Sequence, residues 1–241
     1  MLWCGDVHGN LEKVKAFLAY KPEIPHGFVG DYFDSYVASC SLVIETFEYI
    51  MSHDCVTLSG NHDNHYFKNA TSNMICSGFR QNRDYVNLVE KYKNRLIGSY
   101  VDGPYLVTHA GVHPLLYRNF HDIKECSEWI NHEFDFFKNA QPYTISRFDS
   151  RIFFIGSCRG GGSQWGGPFW LDYRFEKLAN VNQIFGHSKS LKSGVKILKN
   201  KKTQVCIDTE NWQCYNSQTH MVEDFFPKDR EKERLQLEIC Y

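Results

Sequence analysis

Residues 2–10 read LWCGDVHGN and residues 26–36 read HGFVGDYFDSY. Each is a short apolar run that stops at a glycine followed by an aspartate. Met1 to Cys4, and the stretch around Phe28 and Val29, have the length and composition of buried strands. Between them, Asn10 is placed to cap a helix whose Leu11, Val14, Phe17 and Leu18 fall on one face. A third unit repeats the plan: an amphipathic segment with Leu42, Val43, Phe47 and Ile50, then the strand CVTLS (55–59), then GNHD (60–63). Alternation of strand, polar loop and helix predicts an α/β fold, and such folds place their ligands at strand ends, where these polar clusters lie.

Further along, the pattern turns to hairpins. Residues 96–109 read as one hairpin with Asp102-Gly103 as its turn, delivering His109. Residues 113–150, helical around Cys126 to Phe137, read as an insertion near the site. A glycine-rich loop, GSCRGGGSQWGGP (156–168), precedes the strand VNQIF (181–185), which ends in Gly186-His187-Ser188. A second hairpin carries alternating Val195, Ile197, Val205 and Ile207. One domain over residues 1–225 is expected, with a mixed-charge tail over 226–241.

The chain has 241 residues, 42% hydrophobic and 15% aromatic, which suits one continuous core. A formal charge of −1 offers no general attraction to nucleic acid or an anionic membrane, so any grip on a phosphate has to be local. No stable nucleic-acid complex is expected. No stretch reaches the roughly 18 apolar residues of a membrane span, and the first residues lack the marks of a secretion signal. Nine scattered cysteines with no Cys-x-x-Cys pair read as reduced thiols in a cytoplasmic protein.

Five segments share one design: a strand end, then Asp, Asn or His beside glycine. They carry Asp6 and His8, Asp31 and Asp34, Asn61 and His62, His109, and His187. Glycine lets the backbone turn tightly and approach an ion. Carboxylate and amide oxygens mixed with imidazole nitrogens suit manganese, iron or zinc better than a calcium cage. Any one dipeptide would be an ordinary turn; the full series, each member after an apolar strand, is the signal.

The run GDVHGN, GDYFDSY, GNHD, THAGVHP and GHS resembles the calcineurin-like metallophosphoesterases, and among them the phosphoprotein phosphatase branch and the symmetrical dinucleoside tetraphosphatases. The resemblance spans roughly residues 3–210. It implies a four-layer α/β/β/α sandwich with a dinuclear metal site at the strand ends. It also implies that Asp6 and His8 hold one divalent ion, Asp31 bridges to a second, and Asn61, His109 and His187 complete the second site. Manganese is the expected metal, with iron, zinc or magnesium as alternatives. His62 would be the general acid, Asp34 would orient it, and Asp208 would support the ligands from behind. A carboxylate shared by two ions holds them about 3.5–4 Å apart, and a water they share becomes a nucleophile near neutral pH. An imidazole beside a carboxylate can stay charged and protonate the departing oxygen.

One departure matters. The phosphoprotein phosphatases read Asp-Arg-Gly where this chain reads Asp34-Ser35-Tyr36, so the arginine that would clamp phosphate is missing. Arg159 and Arg174 lead the candidates to replace it, followed by Arg147 and Arg80. Trp165, Phe169 and Trp170 read as packing before they read as a stacking platform. Of the remaining histidines, His65 and His113 lie near the motifs, while His26, His53, His121, His132 and His220 read as surface or capping residues. The expected activity is hydrolysis of phosphomonoesters, phosphoserine or phosphothreonine of a protein first and small phosphoesters with them. The alternatives are a nucleotide phosphohydrolase, acting on dinucleoside polyphosphates or a cyclic nucleotide, and an inactive scaffold.

Overall fold

The computed structural model describes residues 1–71, 74–80, 82–140, 150–189, 195–200 and 202–227. Its first half runs β1 (Leu2–Cys4), α1 (Leu11–Ala19), β2 (His26–Phe28), α2 (Cys40–Met51), β3 (Val56–Leu58), α3 (Asn61–Asn64), α4 (Arg83–Tyr92) and β4 (Leu96–Ile97). The second half runs β5 (Ser99–Asp102), β6 (Tyr105–Thr108), α5 (Pro114–Tyr117), α6 (Ile123–Asn139), β7 (Gln183–Phe185), β8 (Lys196–Asn200), β9 (Lys202–Cys206), β10 (Gln213–Asn216) and β11 (Met221–Asp224).

Two sheets result, a six-stranded one in the order β11-β10-β1-β2-β3-β4 and a five-stranded one in the order β5-β6-β7-β9-β8. β1 to β4 are parallel, as are β6, β7 and β9. Side chains that alternate along a strand sort into different cores. Leu2 and Cys4 join Val14 and Phe17 of α1 and Val43 and Phe47 of α2. Trp3, between them, joins Tyr105, Val107, Ile184 and Val205 of the other sheet. Leu106 turns away from that shared core to meet Cys126 and Ile130 of α6. Helices, sheet, sheet and helix therefore stack as the expected four layers. Trp3 is fully buried, and its Nε1–H donates to Asp102 Oδ2 at 2.7 Å, joining β1 to β5 across the two sheets.

Asn10 caps α1 as expected, accepting from the Lys13 N–H. Residues 96–109, however, are not one hairpin. Leu96 and Ile97 pair with β3 in the first sheet, and the chain crosses to the second sheet at Gly98. The crossing is held by Asn131 of α6, whose Oδ1 accepts from the Gly98 and Ser99 N–H groups at 2.9 and 3.0 Å. Asp102 pairs with Tyr105, so the turn residues are Gly103 and Pro104 rather than Asp102 and Gly103. His26 is also misplaced by sequence. It is buried in β2, with Nε2 on the Tyr20 carbonyl and its ring edge-on to Phe17. β10 and β11 extend the free edge of β1, an addition the sequence pattern does not announce. No helix among the described residues is long and apolar enough to cross a membrane. Arg147 and nearly all of the charged tail lie outside the described residues.

Candidate metal centre

The ends of six strands meet on one rim: β1 runs into Asp6, β2 into Asp31, β3 into Asn61, β6 into His109, β7 into His187 and β9 into Asp208. The loops are tied to one another. The Val7 and His8 N–H groups both donate to the Asp31 carbonyl, at 3.1 and 2.8 Å, and the Gly186 N–H donates to the His109 carbonyl at 2.7 Å. His8, Asp31, Asp34 and His187 all have positive φ, from 45 to 66°. Side chains rarely adopt such angles, and they persist where the surroundings enforce them. Close approach dictates two glycines: a Cβ on Gly186 would stand 2.2 Å from Asp6 Oδ1, and one on Gly60 would stand 2.1 Å from Asp31 Oδ1.

Asp6, His8 and Asp31 each bring a ligand atom to within 4.8 Å of the other two, and Asp31, His109 and His187 do the same. Asp31 belongs to both sets. Proton positions tell what the sets can bind. His109 Nδ1 lies 2.9 Å from the Val29 carbonyl and His8 Nδ1 lies 2.8 Å from the Phe33 carbonyl. A carbonyl only accepts, so each ring carries its proton on Nδ1 and presents a lone pair at Nε2. His109 Nε2 then faces Asn61 Oδ1 at 2.9 Å and Asp31 Oδ2 at 3.5 Å, and His8 Nε2 faces the same Asp31 oxygen at 3.8 Å. His187 Nδ1, 2.8 Å from Asn61 Oδ1 and 3.1 Å from His109 Nε2, has at most one proton to share among these acceptors. Its Nε2 is buried with no hydrogen-bond partner among the described residues. A surplus of lone pairs on mixed oxygen and nitrogen donors fits divalent transition-metal ions.

The charge balance agrees. Burial, then the carboxylates of Asp6 and Asp63, push the Asp31 carboxyl well above the usual range. Asp208, buried close enough to Asp6 to feel its charge, is raised in the same way, by burial first. Burial takes His109 down to about 4, and burial then His109 take His187 well below the usual histidine range. Neutral imidazoles and crowded carboxylates are groups whose interaction with one another a cation improves.

A second cluster surrounds Asp34. His62 Nδ1 lies 2.8 Å from its Oδ2, His65 Nε2 lies 3.1 Å from the same oxygen, and the Tyr66 hydroxyl donates to Oδ1. Burial raises the Asp34 carboxyl, but hydrogen bonds from His62, His65 and Tyr66 outweigh it and take the group down to about 2. His62 is thereby fixed with its ring edge-on to His8, the centroids 5.2 Å apart.

Beside His187 lies a third group. Asp172, 1% exposed at its side chain, accepts from Arg174 Nε at 2.9 Å and Nη2 at 2.6 Å and forms an ion pair with Arg159, whose Nε lies 2.9 Å away. Arg159 Nη2 also donates to Ser188 Oγ at 3.1 Å and to the His187 carbonyl at 3.3 Å. Both candidate arginines therefore stand next to the ligand cluster, held there by one buried carboxylate. Trp170 meets His187 edge-on at 5.9 Å, Phe169 is core, and Trp165 stacks on His113 instead.

Sequence reading missed several supporting residues. Asp63 accepts from the N–H groups of Asp31, Tyr32, Phe33 and Gly60, pinning the β2 loop to the β3 loop. Burial pushes this carboxyl up to about 7 against those four donors. Asp63 was visible as the last letter of GNHD, but its role was not. Tyr66, Cys76 and Asp172 carried no signal of spacing at all.

The model of the calcineurin-like phosphoesterase family matches residues 1–190. No curated protein matches the chain by sequence. Among solved structures, a cold-active protein-tyrosine phosphatase of a psychrophilic Shewanella species aligns over 84% of this chain and 69% of its own, with a TM-score of 0.52 and 14% identity. A protein serine/threonine phosphatase from Saccharomyces cerevisiae aligns over 87% of this chain and 67% of its own, with a TM-score of 0.46 and 17% identity. The Shewanella likeness is one of fold.

Proposed function

The chain belongs to the calcineurin-like phosphoesterase family and is a phosphoester hydrolase, and from that premise we propose that it cleaves phosphomonoesters at the rim built around Asp31. Asp6, His8 and Asp31 would hold one divalent cation, and Asp31, Asn61, His109 and His187 a second, with manganese the first to test. When bound, the cations supply Lewis-acid charge to the phosphoryl group and to the attacking water. The observation that carries this reading is the pair of ligand sets that share Asp31.

The chain's own groups supply the rest. His62, with Nδ1 on Asp34, keeps its Nε2 for the proton that the leaving oxygen needs. Asp34 stabilises the charged ring and sets its orientation. Arg159 and Arg174, braced by Asp172, are placed to hold phosphate oxygens in place of the arginine missing at Ser35. Asp208 backs Asp6 from within the core. Phosphorylated side chains of a protein are the proposed substrates, phosphoserine and phosphothreonine by resemblance to the phosphoprotein branch. Cytoplasmic location is proposed with it, from the nine scattered cysteines. A second reading, nucleotide hydrolysis, rests on Trp170 beside His187.

The test is hydrolysis of p-nitrophenyl phosphate with added manganese, wild type against Asp31→Asn. We expect a loss of about a thousandfold or more, since a shared ligand serves both ions. Equal rates in the two proteins would end this reading.

A further inference from the structure

Beside His62 the chain presents two further rings. Phe79 meets the His62 ring edge-on, with centroids 5.4 Å apart and an interplanar angle of 88°. Tyr36 lies against Phe79 at 4.9 Å, and its hydroxyl reaches over Gly78. Tyr36 is nonetheless 84% exposed, and Val37 beside it is 96% exposed. Phe79 is half-buried, but a ring as exposed as Tyr36 is poorly explained as packing, because it buries little.

The turn that displays Tyr36 starts at Ser35. The Ser35 Oγ accepts from the Ala38 N–H at 3.0 Å and the Val37 N–H at 3.3 Å. Its hydroxyl is thus committed to turning the backbone, and the turn throws Tyr36 outward onto Phe79. Phe79 is set in turn by its N–H donating to the Cys76 carbonyl at 3.2 Å and by the positive φ of Gly78, 87°. In place of a charged side chain after Asp34, the loop offers an aromatic lip.

Geometry decides which part of a substrate meets that lip. Ring centroids are 5.2 Å apart from His8 to His62, 5.4 Å from His62 to Phe79 and 4.9 Å from Phe79 to Tyr36, so His62 touches both a ligand histidine and the aromatic pair. Arg159 lies instead against His187, and Arg174 shares its Asp172. If His62 protonates the leaving oxygen, the group attached to that oxygen falls against Phe79. We propose that Phe79 and Tyr36 are specificity-determining residues that select esters whose leaving oxygen is bonded directly to an aromatic ring, so that phosphotyrosine, not an alkyl phosphate, is the favoured side chain. This rests on the phosphomonoesterase reading and replaces the phosphoserine and phosphothreonine that resemblance alone suggests with an aryl ester. Flat rings packed edge-on or offset attract beyond their buried area, and an alkyl group gains less.

The experiment compares kcat/KM for an aryl phosphate and a fluorinated alkyl phosphate of matched leaving-group acidity, in wild type, Phe79→Leu and Tyr36→Ala, all loaded with manganese. The readout is the aryl-to-alkyl ratio within each protein, so a change common to both esters cancels. We expect the ratio to favour aryl in wild type and to fall about tenfold in Phe79→Leu and about threefold in Tyr36→Ala. Tyr36 is too exposed for its loss to unfold the protein, so that variant stands even if Phe79→Leu is unstable. A peptide carrying phosphotyrosine, then the same peptide with phosphoserine, and a nucleoside 5′-monophosphate extend the series. Unchanged ratios in both variants, or a wild-type preference for phosphoserine or the nucleotide over phosphotyrosine, would overturn the proposal. Wild type inactive on every ester would strike the phosphomonoesterase reading itself and the proposal with it.

Discussion

Asp31 and Asp34 share one loop, both are buried and each gathers histidines, yet their surroundings differ in kind. Asp31 Oδ2 faces atoms that offer lone pairs, His109 Nε2 at 3.5 Å and His8 Nε2 at 3.8 Å. Asp34 faces donors: the Tyr66 hydroxyl, His62 and His65. The proton on His65 is placed by the Cys76 N–H, which donates to Nδ1 at 3.2 Å and leaves Nε2 to point at Asp34 with its hydrogen. By proximity alone, Asp34, His65 and Cys76 are as good a metal set as those around Asp31. The lesson is that the direction of the hydrogen bonds, more than the types of residue, separates a site that wants a cation from one that is complete without it.

Mutations can break that contrast. The largest expected effect after loss of Asp31 is His62→Asn, which removes the proton donor. Its kcat on phenyl phosphate should fall about a hundred- to ten-thousandfold, and clearly less on p-nitrophenyl phosphate, whose leaving group needs little protonation. Equal losses on the two esters would assign His62 to binding instead. Next comes Asp34→Asn. It should cost about ten- to a hundredfold in kcat while both manganese ions, measured by elemental analysis, stay bound. Loss of an ion in that variant would erase the distinction between the two clusters.

The smallest effect is on stability in acid. The Asp34 carboxyl sits at about 2 in the folded protein, below its unfolded value. Its contribution is therefore complete above the ordinary aspartate pKa of about 4 and is lost as pH falls through about 2. Metal-free wild type should lose about 2 kcal/mol more than Asp34→Asn across that window, read from denaturant unfolding at each pH. Parallel curves for the two proteins would mean the carboxyl is not held by its donors.

How much of this the sequence could carry follows from the same contrast. The strand ends were legible, and so was the convergence there of Asp6, His8, Asp31, Asn61, His109 and His187, because each lies within a few residues of an apolar run and near a glycine. The fold was legible for the same reason in β1 to β3. It failed at Gly98, where two short strands of different sheets abut and only Asn131, from a helix more than thirty residues on, shows the break. β10 and β11 were missed because they are short edge strands that exist by pairing with β1. Asp63, Tyr66 and Asp172 act through neighbours brought by tertiary folding, so no local spacing marks them. Ser35 was noted for the arginine it lacks; what it does instead, accepting from Val37 and Ala38, needed coordinates.

The central claim, that two cations share the Asp31 carboxylate, is tested most directly by electron paramagnetic resonance of the protein titrated with manganese. The account predicts a spin-coupled signal that grows to two ions per chain and collapses to at most isolated ions in Asp31→Asn. Two independent, uncoupled manganese signals in the wild type, unchanged by that substitution, would contradict it.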